Sequence, residues 1–427
     1  MKILIFLVVG LVFSKRTKDP KKSSSPQFAT AELASDIDAW LATSRPSTFN
    51  SIYSPVSIYN ILAGIYFGTS ENSKTRLELQ EKFNFKQKFN ATNYATKLSK
   101  MTESEVLKTF NSYVFHKANM TPIYAKELEM LNFKKQRFDT FVGKEEMLNE
   151  QVEDDTDGMI KNMFPSGSFD DLTTLILLNT ILFDGEWDVT RGLFKKSDTK
   201  IENEWFTGAE QDSAGPFEAE FMYSKDRKLK AYEEDRVLYV SLKFKGAVGK
   251  PVFMTVAMPK LGSKISAHEV NFNKINWDAL SPKKVNLKFP KFEIEDDHDL
   301  IEFMKYKDAT RLLSHSTANL ERMFGNSDNY VGQFNQKASI KVHENGAKAA
   351  AATAVGFMVK SMPPRRKTLK IVRPFKFFIH SLKLKMDMHS DSEQSGNLFF
   401  AGVVNCPMNN CDEPVTDKLV TDEADIK

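Results

Sequence analysis

Residues able to do chemistry are present in this sequence, but not in the patterns that build an enzyme's site from one stretch of chain. Seven histidines stand at His116, His268, His298, His315, His343, His380 and His389, without metal-ligand spacing. There is no G-x-S-x-G elbow, no H-E-x-x-H helix and no G-x-x-x-x-G-K-[ST] loop. A triad assembled in space stays open, with no sequence feature to support it. The two cysteines are Cys406 and Cys411. An oxidising export route favours a disulfide that closes a small loop between them, two free thiols being the alternative. A zinc site would need four ligands, and no histidine is near them. Asn90-Ala91-Thr92 and Asn119-Met120-Thr121 are glycan acceptor triplets, the second weakened by Pro122.

One stretch offers a different kind of chemistry. Residues 342–364 read VHENGAKAAAATAVGFMVKSMPP. Alanine is the best helix former, so propensity alone makes 347–353 helical. A period of two says otherwise. One face reads Ala347, Ala349, Ala351, Thr353, Val355, Phe357 and Val359, uncharged and small at its start. The other face holds Lys348 and Lys360 around alanines, Gly356 and Met358. That is the pattern of a strand with one buried and one wet face.

The elements around this stretch must position it. A length of 427 residues suggests two or three domains, but no Gly/Ser linker, proline tract or repeat divides the chain. A hydrophobic share of 41% and a charged share of 27% are ordinary for a globular protein, and a net charge of +3 is too small to imply nucleic acid. Lys2 and the apolar run 3–13 read as a signal peptide over 1–14, too short for the roughly 20 residues of a membrane span. A basic tail over 15–27 and an acidic tail over 408–427 are expected to be disordered. The protein is therefore expected to be exported and released, with no membrane partner. Helices are predicted over 27–45, from Ser54-Pro55 to a C-cap at Gly68, and over 74–82. Strands are predicted in 175–187, 236–246, 251–260, 284–295, 368–382 and 397–405. Helices early and strands late argue for an α+β fold.

KASIKVHENGAKAAAAT resembles the hinge of a serpin reactive loop, where a Glu, a Gly and small residues precede an exposed bait. NSIYSPVSI, NEQVEDDTDGMI, LLNTILFDGEW, VRPFKFFI and FFAGVVNCP resemble further serpin motifs in order. They are similar to a helix start, the helix across the main sheet, a central strand and two barrel strands. The resemblance covers residues 28–407. It implies three β-sheets, eight or nine helices and an exposed reactive-centre loop over about 344–364. Gln336 stands where the family usually has a histidine beneath the main sheet, with Ser54, Ser57 and Asn179 as implied partners; Trp187 ends the central-strand motif. Gln151, Val372, Lys376, Asn345 and Lys348 also depart from the family's pattern.

Sixteen residues beyond Glu344, the pattern places the bait bond at Lys360-Ser361. The implied hinge comprises Glu344, Gly346, Ala347, Ala349, Ala351 and Thr353. A lysine there suits a trypsin-like serine protease, whose specificity pocket holds a carboxylate. The implied activity is not enzymatic: a monomeric suicide substrate that traps its protease by inserting the cut loop into the main sheet. Phe357 or Met358 would instead suit chymotrypsin-like or elastase-like proteases, and Arg365 and Arg366 lie beyond two prolines. A carrier or chaperone of the same fold is the other reading. It requires bulky, charged or proline residues on the inward face, and this hinge has none. No metal or obligate cofactor is implied. Lys86, Lys88, Lys97 and Lys100 lie near a helix that some serpins use for a glycosaminoglycan, against the simpler reading of a solvated face.

Overall fold

The computed structural model describes residues 26–46, 48–85, 89–102, 107–183, 185–188, 193–207, 216–246, 251–326, 328–346, 366–381 and 397–407. Among the described residues there are eight α-helices. They are α1 (Pro26–Ser44), α2 (Pro55–Gly68), α3 (Lys74–Phe83), α4 (Ala91–Thr102), α5 (Pro122–Met130), α6 (Glu145–Asp155), α7 (Leu300–Tyr306) and α8 (Glu321–Phe324). Fourteen strands accompany them. The first seven are β1 (Ser51–Tyr53), β2 (Leu107–His116), β3 (Phe133–Arg137), β4 (Leu175–Phe183), β5 (Lys200–Trp205), β6 (Phe217–Glu234) and β7 (Val237–Lys243). Then come β8 (Val252–Pro259), β9 (Ser281–Pro290), β10 (Phe292–Asp299), β11 (Gln333–Val342), β12 (Thr368–Lys370), β13 (Phe375–Ser381) and β14 (Leu398–Val404).

A five-stranded sheet has the order β10-β11-β4-β2-β3. Its central neighbours β4 and β11 are parallel, while β4 with β2 and β10 with β11 are antiparallel. The other strands form one hydrogen-bonded sheet, β1-β14-β13-β8-β7-β6-β9-β12, with β5 on β6. The 18-residue β6 joins two of the three expected sheets: its start pairs with β5 and its end with β7. Between these parts its register against β9 shifts from Ser224 to Arg227.

The unbroken apolar run of β4 has a two-sided cause. Leu175, Leu177, Ile181 and Phe183 belong to the main core with α2 and β14, whereas Ile176, Leu178 and Leu182 belong to a second core. Leu148 and Val152 of α6 close that second core, so α6 covers the outer face of the sheet as its resemblance implied. The chain following α6 continues this cover over β11, where the Lys337 ammonium donates to Lys161 O at 2.9 Å.

Three boundaries differ from the sequence expectation. α1 begins at Pro26, inside the expected tail, because proline's fixed φ suits a first helical turn. Gly68 is the last helical residue of α2, and Thr69 is the cap. Glycine there serves close packing: a Cβ would lie 2.8 Å from Met323 Cε. The single strand predicted over 284–295 is two strands in different sheets, β9 and β10, separated at Lys291.

Candidate functional site

The seam between β4 and β11 is closed at mid-height by a row of buried polar side chains. The register sets His298 beside Gln336, Gln336 beside Asn179, and Asn179 beside Ser112. All four are buried beneath the strands, facing the start of α2. Ser54 caps that helix, its hydroxyl accepting from Ser57 N at 3.4 Å and donating to Phe399 O at 2.7 Å. Proline at the next position needs no N–H partner, which makes Ser-Pro a helix start.

Gln336 ties the row to this helix start. Its Oε1 accepts from Ser54 N at 2.9 Å, and its Nε2 donates to Ser54 O and Asn179 Oδ1, both at 3.2 Å. Ser57 donates to the same Asn179 oxygen. Asn179 Nδ2 donates to Asn111 O at 2.9 Å and Ser112 Oγ at 3.4 Å. The structure thus brings together Ser54, Ser57, Asn179 and Gln336, with Ser57 reaching Gln336 through Ser54 and through Asn179. Glutamine offers both donor and acceptor here, which accounts for its use in place of a histidine.

The top of the seam is built differently. Pairing between β4 and β11 ends at Ser339 and Leu182, but β11 stays paired with β10 up to Val342. A tight turn follows, with reciprocal backbone bonds between His343 and Gly346 at 2.8 and 3.0 Å. Gly346 has φ +130°, and a Cβ would stand 2.0 Å from Gly185 O. Only glycine fits this crossing, which pairs Gly346 with Glu186 in the chain leaving β4.

Side chains hold the turn. Trp187 Nε1 donates to His343 O at 3.0 Å, and Trp187 N donates to Asn345 O at 3.1 Å. The indole is stacked on Phe244 at 4.6 Å. Glu344 accepts from the Thr199 hydroxyl at 2.6 Å and pairs with Lys291 at 3.5 Å. Burial pushes the Glu344 carboxyl up, but the Thr199 hydroxyl and Lys291 outweigh it and hold it below its ordinary range. His343 Nδ1 accepts from Asn345 N at 3.2 Å, while its buried Nε2 has no partner among the described residues. Burial, foremost, pushes its imidazole below the ordinary value.

Sequence reasoning found Glu344, Gly346 and Trp187, and missed Thr199, Lys291, Glu186 and His343. Ala347, Ala349, Ala351, Thr353, Lys360 and Ser361 lie outside the described residues, as do Lys348, Lys86, Lys88 and Cys411. Cys406 is disulfide-bonded. Asn90 and Asn119 are both exposed, and Lys97 and Lys100 are exposed on α4. Lys376 is fully buried in mid-sheet, where its ammonium pairs with Asp38 of α1. Asp38 also accepts from the Tyr53 hydroxyl at 2.6 Å. A half-buried carboxylate partner thus explains that departure from the barrel-strand pattern. Gln151 is half-buried on α6, and nothing in the structure explains that substitution. The hinge departure at Asn345 is met by backbone contacts to Trp187 and His343.

Comparison with known proteins agrees with this architecture. The family described as "Serpin (serine protease inhibitor)" matches residues 29–406. Human antithrombin-III is 29% identical over 381 residues, covering 83% of this chain and 78% of that protein. Horse leukocyte elastase inhibitor is 26% identical over 417 residues, covering 89% of this chain and 100% of that protein. Among solved structures, Serpin48 of the insect Tenebrio molitor superposes with a TM-score of 0.73 at 20% identity, covering 88% of this chain and 97% of that one. Uncleaved ovalbumin does so with a TM-score of 0.71 at 20% identity, covering 89% and 99%. Thyroxine-binding globulin in complex with thyroxine gives 0.70 at 17% identity, covering 89% and 98%. The polar row, the glycine crossing and the parallel central strands sit on a fold shared across this set, and the chain belongs to the serpin family, a family of protease inhibitors rather than catalytic enzymes.

Proposed function

We propose that this protein is a secreted, monomeric inhibitor of a trypsin-like serine protease, acting once per molecule as a suicide substrate. The observation that carries the reading is the junction of β11 with Gly346. β4 and β11 are parallel neighbours, and the turn at 343–346 reverses the chain beside the upper end of both. A strand continuing from Gly346 down the seam would run antiparallel to each. Insertion would replace one parallel ladder by two antiparallel ones, the slightly more stable kind per residue. Residues 347–360 would extend about 46 Å as a strand, longer than β4 or β11. Their uncharged face begins with alanines, small enough to pass a seam closed by Gln336 and Asn179.

The chemistry follows from that topology. The protease serine attacks the Lys360 carbonyl, the Ser361 amine leaves, and an acyl-enzyme forms. The cut frees the hinge segment to enter the sheet while the protease stays bound to Lys360. Export is supported by the apolar run 3–13 and its basic start. Among the described residues no helix is long and apolar enough to cross a membrane.

The test is incubation with trypsin, followed by denaturing electrophoresis and mass mapping of the cut. A complex that survives denaturation and carries the break after Lys360 is expected. Clean cleavage after Lys360 with no complex would sink the inhibitor reading, and a complex cut elsewhere would sink only the bait position. The same preparation on heparin tests a glycosaminoglycan cofactor. Retention that survives Lys97→Ala and Lys100→Ala would remove α4 from that role.

A further inference from the structure

A cavity of about 540 Å³ opens between the ends of α2, α3, α4 and α5, away from the loop-insertion site. It lies within the range of about 300–1,000 Å³ usual for small-molecule sites. Its apolar wall is Phe67 and the half-buried Phe89, whose rings stack at 5.1 Å. Its polar wall is Glu71, Glu127, Arg76 and Arg322. Both arginines are already engaged. Arg322 forks Glu127 at 2.5 and 2.6 Å, and Arg76 donates to Tyr66 O and Thr69 O at 3.0 and 3.1 Å. Two acidic and two basic groups cancel. The cavity therefore suits a neutral occupant with an apolar face and many hydroxyl or amide groups, not an ion.

The chain supplies a tether for such an occupant. Asn90, the acceptor of the Asn90-Ala91-Thr92 triplet, lines this cavity and is exposed. Its Oδ1 accepts from Asn93 N at 2.9 Å, which fixes the amide at the start of α4. Glycosylation uses the other amide atom. Nδ2 attacks the anomeric carbon of an oligosaccharide carried on a polyprenol diphosphate, the diphosphate leaves, and Nδ2 loses one proton. Oδ1 and its bond to Asn93 are untouched.

We infer that the cavity is the seat of the first N-acetylglucosamine of a glycan on Asn90. The apolar C–H face of the sugar lies against Phe89, and its hydroxyl and acetamide groups meet the ring of Glu71, Glu127 and Asn93. The glycan then acts as a wedge that fixes α4 against α2 and α5. This rests on the secretory-route reading given above.

The experiment uses the full chain secreted by cultured eukaryotic cells. Glycopeptide mass analysis is expected to find Asn90 occupied. Peptide N-glycosidase F is expected to release that glycan slowly from native protein and fully after denaturation. Trimming a high-mannose form to one N-acetylglucosamine is expected to leave Tm unchanged. Thr92→Ala, which removes the acceptor triplet at an exposed position, is expected to lower Tm by about 2–4 °C. Glu71→Ala, at the exposed rim, is expected to speed release from the native protein. A secreted protein bare at Asn90 overturns the proposal. So does an occupied Asn90 whose glycan leaves native and denatured protein equally fast while Thr92→Ala keeps its Tm. Protein retained in the cell and bare at both Asn90 and Asn119 overturns the proposal and the secretory reading together.

Discussion

The middle and the top of the β4–β11 seam are closed by different means. At mid-height the strands are hydrogen-bonded to each other, and Gln336 and Asn179 tie both to the start of α2. Every group there is fully buried, so a broken bond leaves an orphan that water cannot reach. At the top the strands have already parted. What holds the turn is a few contacts from Trp187, Thr199, Lys291 and Glu186 to backbone and one carboxylate. Opening therefore begins at the top, where few bonds must break, and the polar row sets the resistance to its progress. The middle holds the larger share of buried bonds, and on the proposed inhibitory mechanism the top would set the rate at which a loop enters.

Substitutions that separate these two quantities test that division. The largest loss of stability is expected outside both regions. Lys376→Leu leaves the half-buried Asp38 carboxylate with the Tyr53 hydroxyl and no counter-charge, at about 3 kcal/mol, and the double change Lys376→Leu with Asp38→Leu is expected to recover most of it. Thermal melting should show both effects with the rate of spontaneous loop insertion per unit of lost stability unchanged. Next comes Gln336→Leu, which strands Ser54 N–H and removes a partner of Asn179, at about 2–3 kcal/mol. It should lower Tm and, alone among these changes, let insertion run past mid-height faster. Gly346→Ala comes third. Its Cβ meets Gly185 O and its φ is unfavourable, a strain of about 1–3 kcal/mol confined to the turn. Insertion should start faster with little change in Tm. If Gly346→Ala lowers Tm as much as Gln336→Leu and leaves the insertion rate alone, top and middle are one unit and the comparison fails.

How far the sequence discloses this depends on where each signal lies. β4 was legible because both its faces are buried, leaving an apolar run. β6 was not, because its charged outward positions break up the inward ones in FEAEFMYSKDRKLKAYEE. The break between β9 and β10 rests on a short signal: apolar positions run Val285, Leu287 and Phe289, then Phe292 and Ile294, so the alternation slips by one residue at Pro290-Lys291, where Lys291 pairs with Glu220 and Glu344. Gln336 and its partners could be named from the resemblance, yet Ser112 and Asn60 could not. Polar residues on a strand and a helix look like solvent-facing ones until the register buries them, with Asn60 Nδ2 donating to Ser112 Oγ at 3.1 Å. The hinge was legible as a row of small residues, but its restraints come from positions over 140 residues away, such as Thr199 and Trp187.

The smallest expected effect lies in those restraints and depends on pH. The His343 imidazole is held below its ordinary value of 6.5, so the folded turn binds fewer protons than the free chain just below that pH. Stability of the turn must then fall as pH drops through 6.5 towards the depressed folded value. Burial is the main cause; around the ring Glu344 favours a positive imidazole, while Lys291, Lys341 and Lys196 oppose it. Glu344 acts at lower pH. Its carboxyl is held below 4.5, so its contribution is complete above that value and is lost as pH falls through the folded one. Of these two groups, His343 is the one whose contribution changes as pH falls below its ordinary 6.5. Trp187 donates to the carbonyl of the same residue, so the share of the fluorescence that Trp187→Phe removes reports the turn apart from the other three tryptophans. A modest change in that fluorescence and faster spontaneous insertion are expected between pH 7 and 5.5, and His343→Gln should remove both while keeping Trp187 against the backbone. If the variant retains the full pH response, the titrating group lies elsewhere, and the top of the seam is held by its hydrogen bonds without any contribution from the charge of this histidine.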